Sequence, residues 1–414
     1  MTGWRATFRS LGVRNYRLYF YGHTISEAGT WMQKVGQGWL VLELTGSGTL
    51  LGVTFAIQHL PILLIGAWGG LLADRLDKRR LLLITYGVAG LLALALGLLT
   101  ATGIVTLWMV LALALGLGVV NALEKPARHT FVIEMVGPGH LTNAITLSSV
   151  VTNTGKVVGP SLAGILISTV GLASGFLVNA ASYLAAVAAL ALMRRHELTP
   201  VEPTRRTSGQ LREGLRYVLR TPQLLAPLLL MTVAGTLAYE WVVTLPLLAR
   251  DAFDGDAQVF GLMFSAMGVG AVVGGLAVAG WLTPSARQLL KLAWVFGGLV
   301  VVVASAPTVP VVLVVLVGVG AASIAFRSVA MSWLQLESSP QMRGRVMSLL
   351  VVATAGTTPI GAPLVGWLAE LAGARVATGL GGVATVLAAL VTLLYLRSRG
   401  ALRSSPQPVA AVVS

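Results

Sequence analysis

The sequence predicts an all-α membrane protein of twelve transmembrane helices in two six-helix bundles, and three observations carry that expectation. Of 414 residues, 56% are hydrophobic and only 11% are Asp, Glu, Lys or Arg, against about 25% charged in a soluble domain. The mean hydropathy is +0.82, and the apolar runs reach the roughly 20 residues needed to cross about 30 Å of hydrocarbon. Lys and Arg, finally, fall almost entirely on one side of those runs. A water-soluble enzyme is excluded, because so few charges cannot cover a particle of this size. The 48 glycines and 17 prolines fit the same class, since neighbouring membrane helices can satisfy the backbone groups such residues free.

Taken in order, the opening MTGWRATFRSLGVRNYRLYF is basic and has no apolar core followed by a small-residue cleavage site. It reads as a retained cytoplasmic segment leading into the first span. Spans are expected near 17–41, 48–73, 80–100, 104–125, 141–169, 172–193, 222–249, 257–280, 288–305, 309–331, 345–368 and 375–396. The third and fourth are nearly unbroken hydrophobes. The first, fifth and seventh carry polar residues that lipid does not tolerate, so they are expected to face the protein interior. Residues 194–221 hold Pro200, Pro203 and TRRTSGQ, then LREGLRYVLR, where Leu211, Leu215, Val218 and Leu219 share one side of a helical wheel. This reads as a cytoplasmic linker with an interfacial amphipathic helix. It separates an N-terminal bundle, 1–193, from a C-terminal bundle, 222–400, which a flexible cytoplasmic tail, 401–414, follows.

With the N-terminus inside, 24 of the 29 Lys and Arg lie in cytoplasmic loops and tails, Arg250 and Arg375 lie outside, and Lys34, Lys156 and Arg327 lie within spans. That is the positive-inside signature with both termini cytoplasmic. It accounts for the net charge of +14 without nucleic acid, because Arg75, Lys78, Arg79 and Arg80, or Arg194, Arg195, Arg205 and Arg206, are expected to meet anionic lipid headgroups. A nucleic-acid patch would want interleaved aromatics on a soluble domain. The chain has no cysteine, and its five histidines form no HExxH or similar cluster, so neither a metal nor another cofactor is expected. No GxxxxGK[ST] segment occurs, which disfavours an ATPase.

The two halves repeat weakly. At an offset of 202 residues, Asn143, Gly159, Leu162 and Gly164 fall on Arg345, Gly361, Leu364 and Gly366, and Pro138 falls on Pro340. Six plus six helices in parallel halves is an arrangement used by transporters, with the path between the halves.

Residues 69–80 read GGLLADRLDKRR. Gly70 permits close helix approach, Asp74 can face a helix N-terminus, and the basic group suits a short cytoplasmic turn; by itself this is an ordinary charged loop. It also resembles the signature between the second and third spans of the major facilitator superfamily, Gly-x-x-x-Asp-Arg-x-Gly-Arg-Arg or Lys. Asp74 and Arg75 match, while Asp77 replaces the second Gly. In NTGKVVGPSLAG, residues 153–164, the glycines suit a helix crossing and Pro160 a local bend. The stretch resembles the antiporter motif Gly-x-x-x-Gly-Pro of the superfamily's twelve-helix drug exporters, carried here by Gly155, Gly159 and Pro160, with Lys156 inserted. The stretches 14–47, 114–136 and 338–350 resemble the third drug:proton antiporter group, which includes macrolide-efflux and enterobactin-exporter-like members. The arginine-centred fourth-helix motif of other drug antiporters is absent. The resemblance covers essentially the whole chain and implies the major facilitator fold.

Charged residues within the spans are few. Glu27 lies midway along span one with Lys34 two turns on, and Gln33 and Gln37 add polarity. A carboxylate in partly apolar surroundings can exchange a proton near neutrality, so Glu27 is the first candidate for proton coupling and Glu240 the second. The repeat pairs Lys34 with Glu240 at an offset of 206 and Glu124 with Arg327 at 203. In the superfamily's fold these positions lie near the outer and inner ends of a central cavity, where opposite charges could gate access; permanent pairing within each half is the plainer alternative. The resemblance also suggests that Asp74 contacts the N-terminus of span eleven. Trp31, Tyr183, Tyr239, Met263 and Phe264 are candidates for an adaptable apolar lining, and Gln58, Asn153 and Asn179 for neutral hydrogen bonds. Such a lining suits an amphipathic organic molecule better than a sugar.

The expected function is proton-coupled export of amphipathic organic compounds by alternating access, in the bacterial cytoplasmic membrane and as a functional monomer. A lipid or lysolipid transporter is one alternative. A non-transport membrane sensor is another, disfavoured because no soluble stretch is long enough to serve as an output domain.

Overall fold

Among the described residues the apolar runs fold as fifteen α-helices, some opened by a hydroxyl or carboxyl cap and some closed by glycine. The computed structural model describes residues 8–199, 210–281 and 284–400, with 67, 70, 71, 73, 74, 210–212, 277–281 and 355 described by backbone alone. In the first half, α1 spans Arg14–Thr45, α2 Gly48–Arg75, α3 Lys78–Ala101, α4 Leu107–Val136, α5 Leu141–Val170 and α6 Leu172–Ala191. After them come α7 (Gln210–Arg220), α8 (Pro222–Leu237), α9 (Trp241–Leu247), α10 (Ala257–Trp281), α11 (Ala286–Ser305), α12 (Val309–Glu337), α13 (Arg343–Ala355), α14 (Thr358–Ala372) and α15 (Ala374–Ser398).

The junctions follow from local chemistry. Gly46, at φ 66°, closes α1 in the left-handed conformation that only glycine adopts without a Cβ penalty. Ser47 then opens α2 by accepting from the Leu50 amide at 3.0 Å. Asp77, where the family pattern has glycine, caps α3 by accepting from Arg80 N at 3.0 Å. Its φ is −59°, so the turn needs no glycine there.

Eleven helical segments among the described residues are long and apolar enough to cross a membrane. They include every expected span except the first. At 32 residues, α1 is about 48 Å long, yet it is too polar to be one of the eleven.

The chain forms two compact units, Met1–Arg205 with Asp254–Ser265, and Arg206–Phe253 with Ala266–Ser414. Within the first, α1 packs on α5 and α6, α2 on α4, and α3 on α4 and α6. Small residues set the closest approaches: Gly22 lies against Ala186 and Ala189, Gly69 against the Ala122 carbonyl, and Gly118 against the Gln58 carbonyl. Within the second, α11 packs on α12 and α15, and α8 on α13 and α15. Glu213 of the amphipathic α7 pairs with Arg345 of α13 at 2.7 Å.

Four expectations are corrected. Span four does not stop at 125, because α4 runs on through Pro126 to Val136. Span seven is interrupted at Ala238–Glu240, where the Ala234 carbonyl accepts from both Ala238 and Tyr239 at 2.8 and 3.1 Å, and it ends in a π-turn at Leu248–Ala252 after Pro246. Span eleven is interrupted at Gly356–Thr357, just ahead of Pro359, which has no amide to donate and restricts the residue before it. Their counterparts in the repeat, α1 and α5, are continuous.

The fourth correction concerns the basic loop. Lys78 and Arg79 are buried and bind protein groups instead. Lys78 Nζ meets Glu134 Oε1 at 2.7 Å. Arg79 donates to the Leu190 and Ala191 carbonyls at 2.7 and 2.8 Å, supplying a cation and partners to the C-terminus of α6. Arg75 and Arg80 are exposed.

Candidate functional site

On α1, His23, Ser26, Glu27, Thr30, Gln33, Lys34 and Gln37 recur every three or four residues and form one polar stripe about 21 Å long. The stripe explains the helix's weak hydropathy. It lines a cavity of about 100 Å³ inside the first unit. Facing it, α4 contributes Asn121, Glu124, Lys125 and Arg128 at the same helical spacing, with Leu117 and Val120 below them. Gln58 and His59 of α2, Tyr86 of α3, and Asn179 and Tyr183 of α6 complete the wall.

Two bonded networks organise the lining. In the charged one, Arg128 pairs with Glu124 at 2.8 Å, Tyr86 donates to Glu124 Oε1 at 3.2 Å, and Arg128 Nη1 lies 2.9 Å from His23 Nε2. His23 Nε2 is 3.9 Å from Glu27 Oε2, and Trp31 Nε1 donates to Glu27 Oε1 at 3.1 Å. Lys34 Nζ sits 3.8 Å from the Trp31 ring centroid and Lys156 Nζ 5.8 Å from it, both cation–π geometries. In the neutral network, Asn179 donates to Gln33 Oε1 at 2.6 Å, Ser182 donates to Asn179 Oδ1 at 2.9 Å, and the Tyr183 and Thr30 hydroxyls are 3.2 Å apart. His59 Nδ1 meets the Phe55 carbonyl at 2.8 Å, which assigns the proton to Nδ1 and leaves Nε2 as an acceptor. Gln37 Nε2 and Gln58 Oε1 are buried with no hydrogen-bond partner.

Of the residues the sequence nominated for a lining, Gln58, Asn179 and Tyr183 line this cavity. Trp31 stands beside it, holding Glu27 and Lys34. Phe264 lies 5.6 Å, ring to ring, from Trp31 and Met263 is fully buried; neither they nor Asn153 line it. Gly155 and Gly159 form the expected crossing, since a Cβ at Gly155 would meet Glu27 Cγ at 2.8 Å and one at Gly159 would meet Trp31 Cβ at 2.6 Å. The Pro160 carbonyl is in turn approached by Gly261. The side chain of Asp74 lies outside the described residues. Within its own unit Glu124 is held by Arg128, a partner the sequence did not suggest. His23, Asn121, Lys125 and Arg128 were also missed, although their spacing relative to Glu27 and Glu124 was readable; His59, on another helix, carried no such signal.

In the second unit Glu240 occupies the N-cap position of α9 at the break in span seven, with no side-chain capping bond. It is 2% exposed, its Oε1 has no hydrogen-bond partner, and Gly361 packs beside it. The Tyr239 hydroxyl donates to the Ser323 carbonyl at 3.1 Å. The Tyr239 ring stacks on Phe296 at 4.9 Å and lies 5.4 Å from the Arg327 guanidinium. Among the described residues no group of three or more His, Cys, Asp or Glu could hold a metal.

The transmembrane secretion effector family matches residues 5–408. The chain is 23% identical to the Staphyloferrin A transporter of Staphylococcus aureus, over 91% of this chain and 94% of that one. It is 27% identical to the multidrug efflux pump Tap of Mycolicibacterium fortuitum, over 86% and 89%. A crystal structure of a bacterial homologue of the human lysosomal transporter Spinster superposes with a TM-score of 0.72 at 16% identity, over 95% and 98%. A nearly full-length family match on two packed helical units identifies a transporter and no enzyme: the chain belongs to the transmembrane secretion effector family of the major facilitator superfamily, as a bacterial multi-pass membrane protein.

Proposed function

We propose that the protein is a proton-coupled secondary exporter of amphipathic organic compounds, working by alternating access and belonging to the third drug:proton antiporter group. In this reading α1 completes a set of twelve spans. Residues 1–193 and 222–400 are the two six-helix bundles, 194–221 the cytoplasmic linker and 401–414 the tail. Both termini face the cytoplasm, and the protein acts as a monomer in the cytoplasmic membrane.

The observation that carries the coupling is Glu240, a buried carboxylate at a helix interruption with one oxygen unpartnered. Burying such a group charged is costly, and a proton removes that cost; half-helix ends are where transporters of other folds place ion and substrate sites. Glu27, the first choice from sequence, already has Trp31 and His23 beside it, so it ranks second on geometry. Likeness to an efflux pump over most of both chains supports the export direction.

The test is purified protein in liposomes with an imposed pH gradient, scored by accumulation of a panel of amphiphiles. Glu240→Gln should abolish gradient-driven accumulation while substrate exchange without a gradient persists. Full gradient-driven transport by both Glu240→Gln and Glu27→Gln would refute coupling through these carboxylates.

A further inference from the structure

We propose that the cavity of the first unit is an anion subsite, which selects substrates carrying a carboxylate or a comparable acidic group. The inference rests on the export reading only in naming the bound molecule a substrate. Its basis is the charge and bonding of the lining. Lys34, Lys125 and Arg128 face Glu27 and Glu124, which leaves one formal positive charge when His23 and His59 are neutral.

Both carboxylates are already engaged. Glu124 is held by Arg128 and Tyr86, and Glu27 by Trp31, with His23 beside it. Lys125 lines the cavity, is exposed to it, and among the described residues of its own unit has no carboxylate within 4.0 Å. The Lys34 ammonium rests on the Trp31 ring, an attraction that holds it in place while leaving other directions of the ammonium open to an acceptor.

One neutral donor points the same way. Gln37 is 2% exposed and its Nε2 has no partner, so a donor nine-tenths buried waits at the cavity wall for an acceptor. Gln58, 4% exposed with Oε1 unpartnered, favours neither sign, because its amide offers an acceptor as placed and its NH2 only after a half-turn. A cationic ligand would meet two ammonium groups here, with Glu124 held by Arg128 and Tyr86 and Glu27 already accepting from Trp31. A neutral one would leave the Lys125 charge without a partner. At about 100 Å³ the space suits an acidic headgroup and falls below the roughly 300 Å³ of a pocket for a whole drug-sized molecule, so the apolar body of the substrate must lie outside it.

The experiment is equilibrium binding to the full chain in zwitterionic lipid nanodiscs, at neutral pH and without a gradient, using three probes that share one ring system: 2-naphthoate, 2-naphthamide and 2-naphthylmethylammonium. Naphthoate should bind at least about tenfold more tightly than the amide, with the ammonium weakest. Lys125→Gln should erase that preference, and Lys125→Arg should keep it. Gln37→Glu, which puts a negative charge in the same wall, should weaken naphthoate by a comparable factor and guards against a misfolded lysine variant. Equal binding of the three probes, tightest binding of the ammonium, or an undiminished naphthoate preference in Lys125→Gln would overturn the proposal. Acid-selective binding together with failure of gradient-driven export would sink the export reading alone. Export without acid selectivity would sink the subsite alone.

Discussion

Replacing Glu134 with Ala strips Lys78 of its partner. Their charged atoms are 2.7 Å apart and their side chains are 8% and 9% exposed. At an effective dielectric near 20, the gross attraction at 2.7 Å is about 6 kcal/mol. Most of this offsets the cost of removing two ions from water. The single variant loses the attraction and keeps the buried ammonium, and such changes typically cost about 3–5 kcal/mol. The double variant Lys78→Met with Glu134→Leu removes both charges, so it should lie within about 1–2 kcal/mol of the parent or above it. The absence of cysteine supplies the assay. Ala93, fully buried on α3, becomes a single Cys whose labelling rate in detergent reports opening of the first unit. Glu134→Ala should speed labelling by roughly 10²- to 10⁴-fold when opening is in rapid equilibrium. A single variant that labels less than about fivefold faster, or a double variant as fast as the single, would refute a buried pair that stabilises this unit.

Three further outcomes follow from particular residues. Asp77→Ala should cost about 0.5–2 kcal/mol by removing the cap of α3, whereas Asp77→Gly, which restores the family's glycine, should cost only a few tenths; equal losses in thermal unfolding would remove the capping explanation. Gly159→Val should force α1 and α5 apart and lower export from folded protein, costing about 1–3 kcal/mol, while Gly298→Ala, whose Cβ meets nothing within 4 Å, should be neutral or stabilising by up to about 1 kcal/mol. Similar activity and melting for the two would show that the crossing tolerates bulk. Single cysteines at Ser208 and Asp254 should react with an impermeant maleimide from opposite sides of the membrane, and labelling of both from outside intact cells would overturn the proposed topology.

Helix placement was largely legible because a membrane helix must be about 20 apolar residues long, and because Gly46, Ser47 and Asp77 mark junctions by local chemistry alone. The amphipathic helix at 210–220 was legible from its period. What escaped depended on distant partners. The run Glu124-Lys125-Pro126-Ala127-Arg128 looks like the end of a span, yet α4 continues because its charges turn toward the polar stripe of α1 and Gly69 packs on the Ala122 carbonyl. Lys78 and Arg79 looked solvated for the same reason: Glu134 and the carbonyl end of α6 are far away in sequence. The interruptions at Ala238–Glu240 and Gly356–Thr357 were hidden by unbroken hydropathy. At the candidate site, Glu27, Lys34, Gln58, Glu124, Asn179 and Tyr183 were found as isolated polar residues in apolar runs. Lys125 and Arg128 were passed over because the span was drawn too short.

The polar stripe on α1 bears on how the chain is made. Near the centre of a bilayer each Lys or Glu disfavours insertion by roughly 2.5–3.5 kcal/mol, and each Leu or Val returns only a few tenths. A helix carrying Glu27 and Lys34, with His23, Gln33 and Gln37 on the same side, therefore has little reason to leave the insertion machinery for lipid when it emerges alone. Its partners Glu124 and Arg128 are synthesised about a hundred residues later and Asn179 later still. Helix α1 is thus made well before the groups that satisfy it, and its residence in the membrane is a property of the assembled bundle.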